Sequence, residues 1–265
     1  MSLIEAFIFG LLQGLTEFFP VSSSAHLKLV KLAFHLEKTE SQVIFDLVCH
    51  LGTLFALFHF LRKEIFRIFY TDRRRLFLLF AATLPLIPCY FLLKPLRDIA
   101  SEPQFLGPCL ICTALILFLG QKIRLQRTGT PTKKREIRDV LLIGMMQSTA
   151  LIPGISRSAS TISCANMLGW DPREAVRFSF LLSIPTIIGG NCLELLKIYL
   201  SQEALEPISL SACGMGFFAS LTFGLLVIRF ALSYLEKGNL RPFAWYCLLF
   251  GITAAIYIHF IPREV

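Results

Sequence analysis

Two stretches of this 265-residue chain place polar groups inside otherwise apolar surroundings. The first, Gln13-x-x-x-Glu17-x-x-x-x-Ser22-Ser23-Ser24-x-His26, follows an apolar run and crosses Pro20. Gln13 and Glu17, four apart, share one face of a helix. Pro20 stops that helix and leaves the three serines at the start of the next one, where hydroxyls and backbone N–H groups make a ready anion site. Glu17 and His26 flank it, the one as base or orienter, the other as a proton carrier near neutral pH. The second stretch, Pro153-Gly154-Ile155-Ser156-Arg157-Ser158-Ala159-Ser160-Thr161, opens another helix after a Pro-Gly break. It supplies one cation, Arg157, whose planar fork of donors matches phosphate or carboxylate oxygens. Serines and an arginine on two helix starts, with a carboxylate and an imidazole, suit a phosphate group carried on an apolar tail. Phosphoryl transfer asks for charge neutralisation and in-line positioning above all.

The elements that must position these groups follow from composition. Hydrophobic residues make up 55% of the chain, charged residues 17%, and mean hydropathy is +0.65, the profile of an all-α polytopic membrane protein. A span needs about 20 mostly apolar residues, and six candidates stand out: 43–61, 76–93, 105–120, 175–197, 208–234 and 242–261. Two further apolar stretches break before they can cross, 3–19 at Pro20 and 140–152 at Pro153-Gly154, each followed by a serine-rich patch and a weaker apolar stretch, 25–36 and 159–169. They predict two re-entrant helix-turn-helix hairpins, because irregular backbone at membrane depth persists only when buried in protein or lining a wet cavity. An ionisable group at that depth costs about 2.5 to 3.5 kcal/mol even on the lenient scale, which favours function over a bland structural role for Glu17 and His26.

The net charge of +8 falls in loops between apolar segments, where membrane orientation explains it and nucleic acid is excluded as a partner. With the loop 62–75 placed in the cytoplasm, the loops 121–139, 170–177 and 229–241 join it and carry eighteen positive residues. Seven lie outside, Lys28, Lys31, Lys38, Lys94, Arg97, Lys197 and Arg263. This obeys the positive-inside rule and puts the first hairpin on the outer side, the second on the inner. A shift of 134 residues brings Gly10-x-x-Gln13 onto Gly144-x-x-Gln147 and Ser22-Ser23-Ser24-Ala25 onto Ser156-Arg157-Ser158-Ala159. The expectation is a single integral domain, 1–265, built as an inverted-topology repeat of about 1–120 and 140–265 joined by a basic cytoplasmic connector, 121–139. No removable signal peptide is expected. The eight cysteines are read as small core hydrophobes, Cys109-x-x-Cys112 included, and the 25 phenylalanines as lipid-facing bulk. Asp46 and His50 pair or support the site, Asn191 and Glu194 sit nearer an end, and His59 and Glu236 look interfacial.

The two polar stretches resemble the signature regions of the bacitracin-resistance undecaprenyl-diphosphate phosphatase family, (Glu/Gln)-x-x-x-Glu with Pro-x-Ser-Ser-x-x-His and Pro-Gly-x-Ser-Arg-Ser, in the family's order and separation. The resemblance covers essentially the whole chain. It implies a phosphatase that removes the terminal phosphate of undecaprenyl diphosphate, recycling the lipid carrier for peptidoglycan, in the bacterial plasma (inner) membrane with an outward-facing site. It implies catalytic roles for Glu17, Ser23, His26 and Arg157, and phosphate contacts from Gln13, Ser22, Ser24, Ser156, Ser158 and Thr161. Gln13 stands where many members carry a second Glu, which weakens any mechanism that holds a divalent cation (Mg or Ca) at Glu17; no organic cofactor is expected. Ala25 and Ala159 stand where glycine is common. Expected partners are the polyprenyl diphosphate and membrane lipids, with a homodimer left open. The expected mechanism has Ser23 as nucleophile and His26 as proton carrier oriented by Glu17; attack by His26 or by an activated water is the rival. The competing function is a transporter or flippase for a phosphorylated lipid or small anion, since inverted repeats with broken helices also build transporters.

Overall fold

A computed structural model of the chain describes residues 1–34, 36, 40–126, 136–201 and 209–260. Among them all regular structure is helical. Two short helices, α1 (Leu3–Thr16) and α2 (Ser23–Ala33), precede the long α3 (Glu40–Tyr70). Then come α4 (Arg73–Thr83), α5 (Leu86–Leu92), the short α6 (Lys94–Ala100) and α7 (Leu106–Gln126). A second short pair, α8 (Ile137–Ser148) and α9 (Arg157–Met167), precedes α10 (Pro172–Ser201), α11 (Leu210–Leu235) and α12 (Arg241–Phe260). Moving the chain by 134 residues carries the bounds of α2 onto those of α9 residue for residue.

Six helices are long and apolar enough to cross a membrane: Ser41–Tyr70, Arg73–Leu92, Pro103–Gln126, Pro172–Ser201, Leu210–Leu235 and Arg241–Phe260. They match the six expected spans, and the first four run beyond the expected bounds. Arg62, Lys63 and Arg67 continue α3, Lys122 and Arg124 continue α7, Arg138 opens α8, and Arg229 sits inside α11. The expected basic loops are therefore largely helical, because Lys and Arg are good helix formers and keep their head groups outward while the stem covers apolar surface. Lys38, Arg127, Lys133, Lys134, Arg135 and Arg263, also counted for orientation, lie outside the described residues. The second span is split at Leu84-Pro85 into α4 and α5, since proline cannot donate into the preceding turn.

Without a hydrophobic force between helices in lipid, close backbone approach through small residues holds them together. At the crossing of α7 and α12, a Cβ on Gly107 would lie 2.7 Å from the Gly251 carbonyl oxygen, and one on Gly251 would lie 2.9 Å from that of Gly107. Similar contacts join α1 and α3 to α11. The largest apolar core gathers Leu57, Ile143, Ile162, Trp170, Phe178 and Phe180. Several phenylalanines thus belong to the interior rather than to lipid, Phe9 and Phe45 among them, while Phe55, Phe66, Phe77 and Phe230 face outward. Of the cysteines, all free, Cys49, Cys109, Cys213 and Cys247 are buried, and Cys112 and Cys192 are exposed on spanning helices.

Candidate active site

Each short helix pair breaks where the sequence has proline, and the two breaks meet. After α1, residues 17–21 form a turn, and Ser22 then takes a left-handed backbone (φ 67°) before α2 begins. It is the one non-glycine residue with positive φ among those described. Such a conformation costs a non-glycine residue about 1–3 kcal/mol and persists only where surroundings impose it. His26 imposes it here: its Nδ1 lies 2.8 Å from the Ser22 carbonyl oxygen, one helical turn back. A carbonyl only accepts, so Nδ1 donates. The other ring nitrogen, Nε2, meets the Tyr246 hydroxyl at 2.7 Å, and the ring stacks on Phe250 at 4.5 Å between centroids. In the second break Gly154 supplies positive φ (98°), where a Cβ would strike the Cys109 side chain at 2.5 Å. Thr113 on α7 pins this turn by donating to the Gly154 carbonyl (3.0 Å) and accepting from the Ser156 N–H (3.1 Å). The Ser156 hydroxyl then caps α9 by accepting from the Ala159 N–H.

Glu17 is the junction. Its Oε2 accepts from Gln13 Nε2 at 3.0 Å and from Ser23 Oγ at 2.8 Å, and its Oε1 accepts from Arg157 Nη2 at 2.9 Å. The Glu17 and Arg157 side chains are only 8% and 16% exposed, so this is a buried ion pair linking residues 140 positions apart. Ser158 ties the same two turns by donating to the Phe19 carbonyl at 3.2 Å. Thr161 shares a hydrogen bond with Ser179 at 2.7 Å, fastening α9 to α10.

These groups form the polar end of a cavity of about 870 Å³. Glu17, Ser22, Ser23, Ser24, Ser156, Arg157 and Ser158 line it together, and Phe80, Leu86, Ile87, Phe91, Ile155 and Ile187 give it apolar walls. Three residues expected at the site are elsewhere. Gln13 sits behind Glu17 and orients it, Thr161 faces α10, and His26 faces α12, so the expected Glu17–His26 relay is replaced by a direct Glu17–Ser23 contact. The Ser23 hydroxyl reaches Glu17, whereas the His26 ring is held between the Ser22 carbonyl and Tyr246 on α12. Sequence reasoning also missed wall residues. Lys28, Arg97 and Gln147 line the cavity without having been singled out, and Asp46 and His50, expected to pair or to support the site, line it too, as do Asn191 and Glu194. Asp46 pairs with Lys31 at 2.7 Å rather than with the His50 ring, whose Nδ1 approaches the Asp46 carbonyl. For Lys28 a signal existed, since it stands four residues after Ser24 on one helix face.

A divalent cation at Glu17 does not fit this donor set. Both carboxylate oxygens already accept from nitrogen or hydroxyl donors, one of them Arg157, and among the described residues no three His, Cys, Asp or Glu side chains converge on one point.

Comparison with known proteins supplies the last observations. Residues 6–253 match the family model of bacitracin resistance protein BacA. The chain is similar to an undecaprenyl-diphosphatase of Protochlamydia amoebophila, 41% identical over 258 residues, covering 97% of this chain and 99% of that protein. It is also similar to an undecaprenyl-diphosphatase of Carboxydothermus hydrogenoformans, 38% identical and covering 97% of each. A third relative, an undecaprenyl-diphosphatase of Methanobrevibacter smithii, is 33% identical over 279 residues.

Proposed function

The chain belongs to the bacitracin resistance protein BacA family, and from that premise we infer that it is an integral membrane phosphatase. It hydrolyses undecaprenyl diphosphate to undecaprenyl phosphate and inorganic phosphate, as the names of its relatives state for them. That reaction recycles the lipid carrier of peptidoglycan synthesis and underlies bacitracin resistance. The observation that carries the reading is the convergence of Ser23 and Arg157 on the two oxygens of Glu17, at the polar end of a cavity with greasy walls.

The chemistry follows from that geometry. The terminal phosphate enters among the α2 and α9 N-termini and competes with Glu17 for the Arg157 fork, which has donors for both. Ser23 Oγ attacks phosphorus while its proton passes to Glu17 Oε2, already 2.8 Å away. The bond from phosphorus to the bridging oxygen breaks, and undecaprenyl phosphate departs with that oxygen. Arg157, the helix N-termini and the Ser156 and Ser158 hydroxyls stabilise the charge spread over the transferring group. Water then displaces Ser23 from phosphorus, Glu17 returns its proton to Ser23 Oγ, and the proton of water leaves on inorganic phosphate. His26 is a positioning residue in this scheme, holding Ser22 and so Ser23 in place, and no step runs through a metal.

The two broken pairs act as re-entrant hairpins of an inverted repeat, entering from opposite sides of a bacterial plasma membrane, and the cavity serves the outer leaflet; the lysine and arginine distribution supports this placement. Purified protein in detergent, given undecaprenyl diphosphate, is expected to release inorganic phosphate, and Ser23→Ala to abolish release while leaving the protein monodisperse. Release of none by the native chain would leave a transporter as the better account.

A further inference from the structure

We propose that Tyr246 on α12 is a positioning residue of the reaction: its hydroxyl fixes the proton of His26 on Nδ1, and the chain from Tyr246 through His26 to Ser22 holds the Ser22–Ser23 peptide so that the Ser23 N–H points at the transferring phosphate. This rests on the phosphatase reading above. The Ser22 carbonyl can only accept, so the proton of a neutral imidazole sits on Nδ1 and Nε2 offers a lone pair. The Tyr246 hydroxyl, 2.7 Å from Nε2, is therefore the donor. Neither partner is an acid, and the ring is buried, with Tyr246 and Phe250, four residues apart on α12, lying within 4° and 10° of its plane. Tyr246 is itself 43% exposed, and its hydroxyl makes this hydrogen bond alone among the described residues, so packing accounts for its ring and not for its hydroxyl.

The far end of the chain reaches the nucleophile. The Ser22 carbonyl belongs to the same peptide as the Ser23 N–H, and across a trans peptide the two point in opposite directions. Holding the carbonyl from the side of the imidazole therefore turns the N–H away from that ring. His26 Nδ1, at 2.8 Å, is the closer donor to this carbonyl; the His26 backbone N–H stands at 3.4 Å. Ser23 opens α2, its N–H donates to no acceptor among the described residues, and it lines the cavity beside Ser22 and Ser24. An unpaired N–H on the residue whose hydroxyl attacks stays beside the phosphoryl oxygens through the transition state, where charge builds. Ser22 is held in a left-handed backbone that only its surroundings maintain, so the aim of that N–H depends on the grip at the carbonyl.

The test uses the purified full-length chain in detergent, with undecaprenyl phosphate formation and the nitrogen NMR signals of labelled histidine as readouts; the His26 signals are the pair lost in His26→Ala. Tyr246→Phe keeps the stacked ring and removes the hydroxyl. The native protein should show a protonated Nδ1 and an unprotonated Nε2 at neutral pH, and Tyr246→Phe should move the Nε2 signal toward that of a free lone pair. The kcat of the variant should fall roughly three- to ten-fold, what one hydrogen bond is worth, with KM for the lipid diphosphate and the unfolding temperature unchanged. In a His26→Ala background the same change should cost nothing, because the two residues act in series. A protonated Nε2 in the native protein, an unchanged kcat, a loss carried by KM or by the unfolding temperature, or a loss that multiplies with that of His26→Ala would each overturn the proposal. A native protein that turns over no lipid diphosphate would remove the phosphatase reading and with it the role in the reaction, while the nitrogen signals would still report whether Tyr246 sets the proton of His26.

Discussion

Glu17 accepts from three donors with two oxygens, so its charge, more than its shape, is what the site depends on. Glu17→Gln keeps the shape and leaves Arg157 buried beside a neutral amide, a loss of about 3–5 kcal/mol. Turnover is expected to fall by roughly 10²–10⁴, the range of a lost general base, and the protein to unfold at lower temperature. His26→Ala frees the Ser22 carbonyl and lets the left-handed turn relax. It should lower kcat while leaving the limbs of the pH–rate profile where they were; disappearance of a limb would restore His26 as a proton carrier. Gln13→Glu removes the amide donor and sets two carboxylates four residues apart beside Arg157. The ratio of rates in magnesium and in EDTA should rise above that of the native protein, because two adjacent carboxylates supply the oxygens a hard cation needs. At this scale the sequence singled out Glu17, Ser23 and Arg157, which the fold brings together at one cavity. For His26 it gave a proton-carrying role and no sign of its partner Tyr246, which lies 220 residues away. It misplaced Thr161 because a hydroxyl inside α9 has no signature of the side it faces.

At the scale of elements, Pro20 and Pro153 lie in the two helix breaks, where the residues announce them, whereas Pro185 is carried inside α10. Helix ends were less legible, since basic residues that look like loop are equally at home in the outer turns of α3 and α7. The crossing of α7 and α12 gave no hydropathy signal, because glycine contributes none. Yet it sets the distance between α12, which carries Tyr246, and the helices beneath it. Gly107→Leu would drive a branched side chain into the Gly251 backbone, where even a Cβ is too close. A lower unfolding temperature in detergent is expected, with reduced turnover, because shifting α12 also shifts the hydroxyl that holds His26. An unchanged unfolding temperature would show that the two helices separate without consequence.

For the whole molecule, six spans were countable from hydropathy, and the placement of the ends rests on charge alone. With Cys112 and Cys192 replaced, a cysteine introduced at Lys94 and one at Lys122 should react with a membrane-impermeant thiol reagent from opposite sides in sealed vesicles. Labelling of both from one side would break the topology. The same wide separation that makes the site a joint product of two halves also has a timetable. Glu17 is synthesised 140 residues ahead of Arg157, and at about 5–20 residues per second the delay is roughly 7–28 s. Through that interval Glu17 lacks the guanidinium it pairs with in the finished fold. The nascent first hairpin therefore has to hold this acid in water, in the insertion machinery or in its protonated form until the ribosome has delivered the arginine that pairs with it.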